Sequence, residues 1–253
     1  MLPLERQEKI LEFLARDGSV VVKDLANYFS VSKDSIRNDL TLLESQNKLK
    51  KSYGGAILVR SNIHEKKAEE RKTQHIEEKK IIVDKAFSQI YPNAHIYLDM
   101  STANILLAQK IFDSQIPVTI CTTMLEIITI LSRASNVNLI AVGGILNETR
   151  EGFVGALTNQ QLNSFDFDMA FMGTVGADLH KNKIYTYEIE DGMTKSTAIK
   201  NSRKTYLLLE TRKLQLNGDF VYGDFSSINT VIAEKNLDHV QIMLFDKYNV
   251  NVL

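Results

Sequence analysis

From Ile76 onward the sequence alternates between short apolar, β-branched runs and amphipathic stretches of helical period, and this alternation limits the architecture most. The spacing predicts strands at His95 to Asp99, Val118 to Thr122, Val137 to Val142, Met169 to Met172, Thr205 to Leu209, Thr230 to Ile232 and Gln241 to Leu244. Between them it predicts helices at Ile76 to Tyr91, Ser101 to Phe112, Thr123 to Arg133, Leu157 to Phe165 and Glu188 to Arg203. Strands that alternate with helices imply a mainly parallel sheet covered on both faces, hence an α/β class.

The first sixty residues read differently. Leu4, Ile10, Leu11 and Leu14 place an apolar stripe on a first helix, 4–16, with Pro3 suited to its start. After a β-branched step at Val20 to Val22, a second helix runs from Lys23 to Phe29. The tight turn Ser30-Val31-Ser32 leads directly into a third helix, which makes a helix-turn-helix. In that third helix Ser32 is the expected cap, and Ile36, Leu40 and Leu43 form the buried stripe. Lys33, Ser35, Arg37, Asn38 and Thr41 lie opposite, a short polar face that suits a DNA major groove. Two extended runs around Gly54-Gly55 form a hairpin, or wing, whose first strand carries Lys48, Lys50, Lys51 and Tyr53. The expected organisation is a DNA-binding domain over 1–59, a polar linker over 60–75 and an α/β domain over 76–253.

Composition excludes several classes. One cysteine, Cys121, allows no disulfide within the chain, and it reads as a small core residue. No apolar run is long enough to span a bilayer or to act as a signal peptide, so the expected compartment is the cytoplasm, with no membrane partner. Ten basic against eight acidic residues give 1–60 a charge of +2 within a chain of net charge −1. The grouping of Lys48, Lys50 and Lys51 points to nucleic acid better than that net figure does. His64, His75, His95, His180 and His239 show no paired metal-ligand spacing, so no metal is expected. No Gly-x-Ser-x-Gly elbow, Gly-x-Gly-x-x-Gly fingerprint or Walker-type loop occurs, and no cofactor or catalytic residue is assigned. Phe165, Phe167, Phe171, Tyr185 and Tyr187 read as core and surface aromatics.

Ligands of open α/β sheets bind beyond the carboxyl ends of the strands. Those ends carry Asp99, Ser101 and Thr102, then Thr122 and Thr123, then Gly143 and Gly144, then Gly173, then Glu210-Thr211-Arg212-Lys213. Hydroxyls and free N–H groups at helix starts favour an anion, and small residues let it approach the backbone. Lys213 and Arg212 would neutralise the anion's charge, and Asp99 would accept bonds from sugar hydroxyls. Taken alone, each end also reads blandly: Asp99 as a helix cap, Gly143-Gly144 as a plain turn. Their convergence on one edge points to a small phosphorylated ligand.

The residues support a family resemblance over nearly the whole length. The N-terminal part rests on Glu5-Arg6, Asp24-Leu25-Ala26, Val31-Ser32, Ser35-Ile36-Arg37-Asn38-Asp39-Leu40, Leu43-Glu44 and Tyr53-Gly54-Gly55-Ala56. The C-terminal part rests on Leu98-Asp99, Gly143-Gly144, Gly155, Asp168, Phe171, Gly173 and Lys213. The chain resembles bacterial DeoR-type transcriptional regulators. The resemblance implies a winged helix-turn-helix joined to a sugar-phosphate-sensing domain with a fold like that of ribose-5-phosphate isomerase. It also implies a repressor of a sugar-uptake or sugar-catabolism operon, with double-stranded operator DNA and a phosphorylated sugar as partners. A homo-oligomer is expected, because one winged helix covers only a short site. Departures from the family pattern include Arg37-Asn38 for two arginines, Tyr53 for histidine, Ser101-Thr102-Ala103 for Gly-Thr-Thr and Glu210 for aspartate. Lys79 and Arg71 match basic positions at the start of the sensing domain. The alternative is an isomerase-like enzyme with an accessory DNA-binding domain, whose acid/base groups would come from Asp99, Glu210 and Lys213.

Overall fold

In the computed structural model, which describes residues 3–17, 19–46, 48–52, 54–58 and 72–253, the chain divides into two compact units, Met1–Ile63 and His64–Leu253. Tyr53, Arg71 and the rest of 60–71 in the expected linker lie outside the described residues.

The N-terminal unit contains α1 (Pro3–Asp17), β1 (Ser19–Val21), α2 (Val22–Phe29), α3 (Lys33–Ser45), β2 (Leu49–Ser52) and β3 (Gly55–Leu58). Helix α2 ends because Ser30 takes a left-handed conformation (φ 54°), and the Val31 N–H returns to the Ala26 carbonyl at 3.1 Å. Ser32 then caps α3, its hydroxyl accepting from the Ser35 N–H at 3.1 Å. The strands form an antiparallel sheet in the order β1-β3-β2. A side chain at Gly55 would overlap the Val20 carbonyl, so the wing rests backbone to backbone on β1. Ile10, Leu14, Leu25, Phe29, Ile36, Leu40, Leu43 and Leu49 form the core. Leu4 does not join them and stays exposed. The buried places one turn before Ile10 go to Arg6 and Gln7, for a reason that lies on α3.

The C-terminal unit contains, in chain order, α4 (Ile76–Phe87), β4 (His95–Leu98), α5 (Thr102–Ser114), β5 (Val118–Thr122), α6 (Leu125–Leu131), β6 (Val137–Ala141), β7 (Ile145–Leu146) and β8 (Phe153–Val154). It continues with α7 (Ala156–Leu162), β9 (Phe167–Gly173), β10 (Gly176–Asp178), β11 (Lys183–Thr186), α8 (Ile189–Lys200), β12 (Ser202–Leu209), β13 (Phe220–Gly223), β14 (Thr230–Ala233), α9 (His239–Lys247) and β15 (Asn251–Val252). Seven strands pair in parallel in the order β15-β14-β12-β9-β4-β5-β6. Side chains alternate between two cores. Tyr97, Cys121, Ala170, Met172 and Leu207 face one, with Leu162, Ala198 and Phe245 from helices α7 to α9. Ile96, Leu98, Ile120, Phe171 and Leu208 face the other, with Ile82, Leu107 and Ile127 from helices α4 to α6. Both faces are therefore covered, which is why these strands read as unbroken apolar runs.

Two features depart from the sequence reading. Gln241 to Leu244 belongs to α9 and not to a strand. Asp238 and Gln241 form a reciprocal capping box that starts the helix, and a short apolar run cannot by itself distinguish helix from strand. The sheet's last strand is β15, at the C-terminus. In addition, β10, β11 and β13 form a separate antiparallel sheet, and β7 and β8 form a small hairpin. All five are at most four residues long, below the length at which alternation is legible.

Candidate functional site

Helix α3 presents Lys33, Arg37, Asn38 and Thr41 to solvent, with Ser35 half-buried beside the cap. Arg37 donates to Asp34 at 2.7 Å one turn back, an exposed pair that is easily surrendered. The wing is fastened to this helix at its far end. Lys51 Nζ donates to Thr41 Oγ1 at 3.0 Å, and the Lys51 N–H donates to Glu44 Oε1 at 2.8 Å. Lys48 and Lys50 are exposed and lie on either side of the buried Leu49. Asp39, which the sequence reading gave no role, is buried. Its Oδ2 accepts from Arg6 Nε at 2.6 Å and its Oδ1 from Gln7 Nε2 at 3.0 Å.

At the carboxyl edge of the large sheet the expected residues fall into three linked groups. The first surrounds Asp99, which is completely buried. Its Oδ1 accepts from Asn104 Nδ2 at 2.7 Å, and its Oδ2 accepts from the Gly173 N–H at 2.7 Å and from Lys195 Nζ. Asp99 is therefore not the cap of α5. Ser101 is, accepting from the Asn104 N–H at 3.4 Å. Both carboxylate oxygens of Asp99 are engaged, so a sugar hydroxyl reaches it only by displacing a partner. Gly173 lies so close to Ser101 that a side chain there would overlap it. Thr102 is the first residue of α5 and is half-buried.

Lys195 is not among the residues to which the sequence points. It stands on α8, one turn from Asp191 Oδ1 at 3.8 Å, and Asp191 Oδ2 accepts from Thr186 Oγ1 at 2.6 Å. Burial pushes the Asp191 carboxyl up to about 6 against the opposing pull of Lys195 and Thr186. The signal available in the sequence was the i, i+4 spacing of Asp191 and Lys195 on a predicted helix. Tyr222 Oη donates to the Gly173 carbonyl at 2.9 Å, and the Lys195 ammonium lies 5.6 Å from the Tyr222 ring centre. Burial and the nearby Asp99 charge push the Tyr222 phenol well above its ordinary value.

The second group follows β5 and β6. Thr122 Oγ1 donates to the Leu98 carbonyl at 2.7 Å and accepts from the Met124 N–H at 3.2 Å, a structural role. Thr123 Oγ1 is buried and makes no hydrogen bond of ordinary geometry. It precedes α6 and does not open it, since α6 begins at Leu125. The Gly143 carbonyl accepts from Thr158 Oγ1 at 3.0 Å and Gln161 Nε2 at 3.1 Å, and a side chain at Gly144 would overlap Thr158. The third group is Lys213, which donates to the Thr174 carbonyl and to Glu210 Oε1, each at 2.8 Å. Arg212 binds the same Glu210 carboxylate at 2.7 Å. Burial pushes Glu210 up, and the charges of Lys213 and Arg212 outweigh it, so its pKa lies below the ordinary value. Lys79 is buried and donates to the Gln74 carbonyl at 2.8 Å.

As an acid/base apparatus the edge is poor, because Asp99 and Glu210 are each held by structural partners. Among the described residues no group of His, Cys, Asp or Glu could hold a metal ion, and no helix is long and apolar enough to cross a membrane.

The chain matches the family model of the DeoR-like helix-turn-helix domain over residues 6–62 and that of the DeoR C terminal sensor domain over residues 74–235. It is similar to the "Uncharacterized HTH-type transcriptional regulator YulB" of Bacillus subtilis (strain 168), with 30% identity over 253 residues, 100% of this chain and 96% of the relative. The L-fucose operon activator of Haemophilus influenzae is 29% identical over 93% of this chain and 94% of its own. The lactose phosphotransferase system repressor of Lactococcus lactis subsp. lactis is 28% identical over 96% of this chain and 95% of its own. Ribose 5-phosphate isomerase A of Methanocaldococcus jannaschii aligns with 53% of this chain and 52% of its own at 14% identity and a TM-score of 0.40, too loose a likeness to carry an argument. The relatives are named as regulators of transcription and not as enzymes, which agrees with the regulator reading and not with the isomerase-like alternative. With both domain matches in chain order and a full-length relative at 30% identity, this protein belongs to the DeoR family of transcriptional regulators.

Proposed function

We propose that the protein regulates a sugar-uptake or sugar-catabolism operon, as a repressor relieved by a phosphorylated sugar. Lys33, Ser35, Arg37, Asn38 and Thr41 read the major groove, and Lys48, Lys50, Lys51 and Tyr53 hold the wing to the phosphates. The observation that carries the DNA half is the polar outer face of the capped α3, exposed as one surface while Lys51 ties the wing beside it. A symmetric homo-oligomer in the cytoplasm fits this reading, since paired half-sites double the contacts.

The operon half draws support from relatives named for a fucose operon and for a lactose phosphotransferase system. The effector lies at the edge formed by Asp99, Ser101, Thr102, Thr122, Thr123, Gly143, Gly144, Gly173 and Lys213. The N–H groups at the start of α5 and the charge of Lys213 attract the phosphate. That charge is shared with Glu210, so a bound phosphate competes with a carboxylate. Asp99 shapes the floor through Asn104, Gly173 and Lys195 and is not an open acceptor.

Two measurements test the reading. Selection from a pool of random duplexes should enrich one sequence, and failure to enrich any sequence removes the DNA half. Thermal shifts against a panel of sugar phosphates, with the free sugars as controls, should pick out a phosphorylated ligand, because a ligand of the folded state raises its stability. If no sugar phosphate shifts the melting temperature, the effector half is wrong.

A further inference from the structure

Asp39 sits directly after Asn38 on α3 but points the other way, into the N-terminal unit, where it is 4% exposed. The same helix leaves Asp34 exposed and Glu44 half-buried. Each oxygen of the Asp39 carboxylate is taken by a side chain of α1. Arg6 Nε donates to Oδ2 at 2.6 Å and Gln7 Nε2 donates to Oδ1 at 3.0 Å. Arg6 and Gln7 are themselves 9% and 8% exposed.

The apolar stripe of Ile36, Leu40 and Leu43 already attaches α3 to the core. Apolar contact is not directional, however, and it tolerates small rotations of a helix about its own axis. Charge-assisted hydrogen bonds at two fixed points are directional. A rotation of about 10° moves a side-chain tip at the helix surface by about 1 Å, enough to spoil a base contact.

We propose that the Arg6–Asp39–Gln7 pairing is a positioning device that fixes the rotation of the recognition helix and so sets how well Arg37 and Asn38 discriminate between base sequences. The proposal rests on the reading of α3 as the DNA-reading helix. It concerns specificity more than stability, because a buried ion pair is often replaced by apolar side chains at no cost to the fold.

The test uses the full chain and two duplexes of equal length, one selected by the wild type from a random pool and one of random sequence. Fluorescence anisotropy gives the ratio of affinities, and thermal melting gives stability. The variants are Asp39→Asn and the apolar double Arg6→Met with Asp39→Leu. The double variant should melt at or above Asp39→Asn, because it leaves no unpaired buried charge. Both variants should keep the wild-type salt slope on the random duplex while the affinity ratio falls by about tenfold or more, a loss of roughly 1.4 kcal/mol of discrimination. A pair that only stabilised the fold would give a double variant with both stability and ratio restored, and that result overturns the proposal. Should the double variant not fold, a wild-type ratio in Asp39→Asn overturns it equally. A wild type that selects no sequence refutes the DNA reading itself and this inference with it.

Discussion

Lys195 of α8 and Asp99 at the end of β4 form an ion pair whose side chains are only 4% and 1% exposed. With the Gly173 N–H on the same Asp99 oxygen, the pair joins one covering helix to the seam between β4 and β9 in the middle of the sheet. Asp191 adds a second carboxylate to the one ammonium.

Removing Lys195 should therefore be severe. Lys195→Met leaves Asp99 and Asp191 buried without their counter-charge, which costs about 3–5 kcal/mol. Urea unfolding followed by circular dichroism measures it. A loss below about 1 kcal/mol, the scale of an exposed pair, would contradict the burial argument.

Asp191 predicts a pH dependence of definite sign. Its folded pKa of about 6 lies above its ordinary 3.8, so between these values the folded state keeps a proton that the unfolded chain releases. Stability from this group is then fully present below about pH 4 and is lost as pH rises through about 6, by something on the order of 3 kcal/mol. The difference between the wild-type and Asp191→Asn stability profiles isolates the effect from Glu210, whose lowered pKa acts in the opposite direction. Parallel profiles from pH 4 to 7 would exclude the assignment.

Arg37→Ala should weaken binding to the selected duplex by roughly 1–3 kcal/mol if the side chain makes a bidentate base contact. Binding to random duplex should change much less. Gel-shift titration of both duplexes decides, and equal affinity of wild type and variant for the selected duplex would take Arg37 out of the interface.

The wing lysines should behave unequally. Lys48 and Lys50 are exposed, and each lost phosphate contact should lower the salt slope by about one. The Lys51 ammonium also bonds Thr41 and lies 3.7 Å from Glu44, so Lys51→Ala should in addition loosen the wing and lower the melting temperature. Equal salt slopes for the wild type and the Lys50→Ala variant would place the wing away from the phosphates.

Helix α3 was legible in the sequence because its cap, apolar stripe and polar face are all local. Ser32, Ile36, Leu40 and Leu43 stand where periodicity puts them. The parallel strands were legible because burial on both faces makes them continuous apolar runs. Pairings across long sequence separations were not legible. Asp39 meets Arg6 across 33 residues and Lys195 meets Asp99 across 96, and no period records either contact. The same limit hides the partners of Asp99, which come from α5, β9 and α8. Gln241 to Leu244 is helical and not a strand for a local reason, the Asp238–Gln241 capping box that starts α9.

The most direct test of the account is anisotropy of the selected duplex titrated with the full chain, alone and with the sugar phosphate that most raises its melting temperature, for wild type and Lys213→Ala. An effector acts only through a difference in affinity between DNA-competent and incompetent states. The account predicts that the sugar phosphate weakens wild-type binding by about fivefold or more, and that Lys213→Ala binds the duplex normally but responds only at much higher ligand concentration. Wild-type affinity for the duplex that stays the same at saturating sugar phosphate would contradict it.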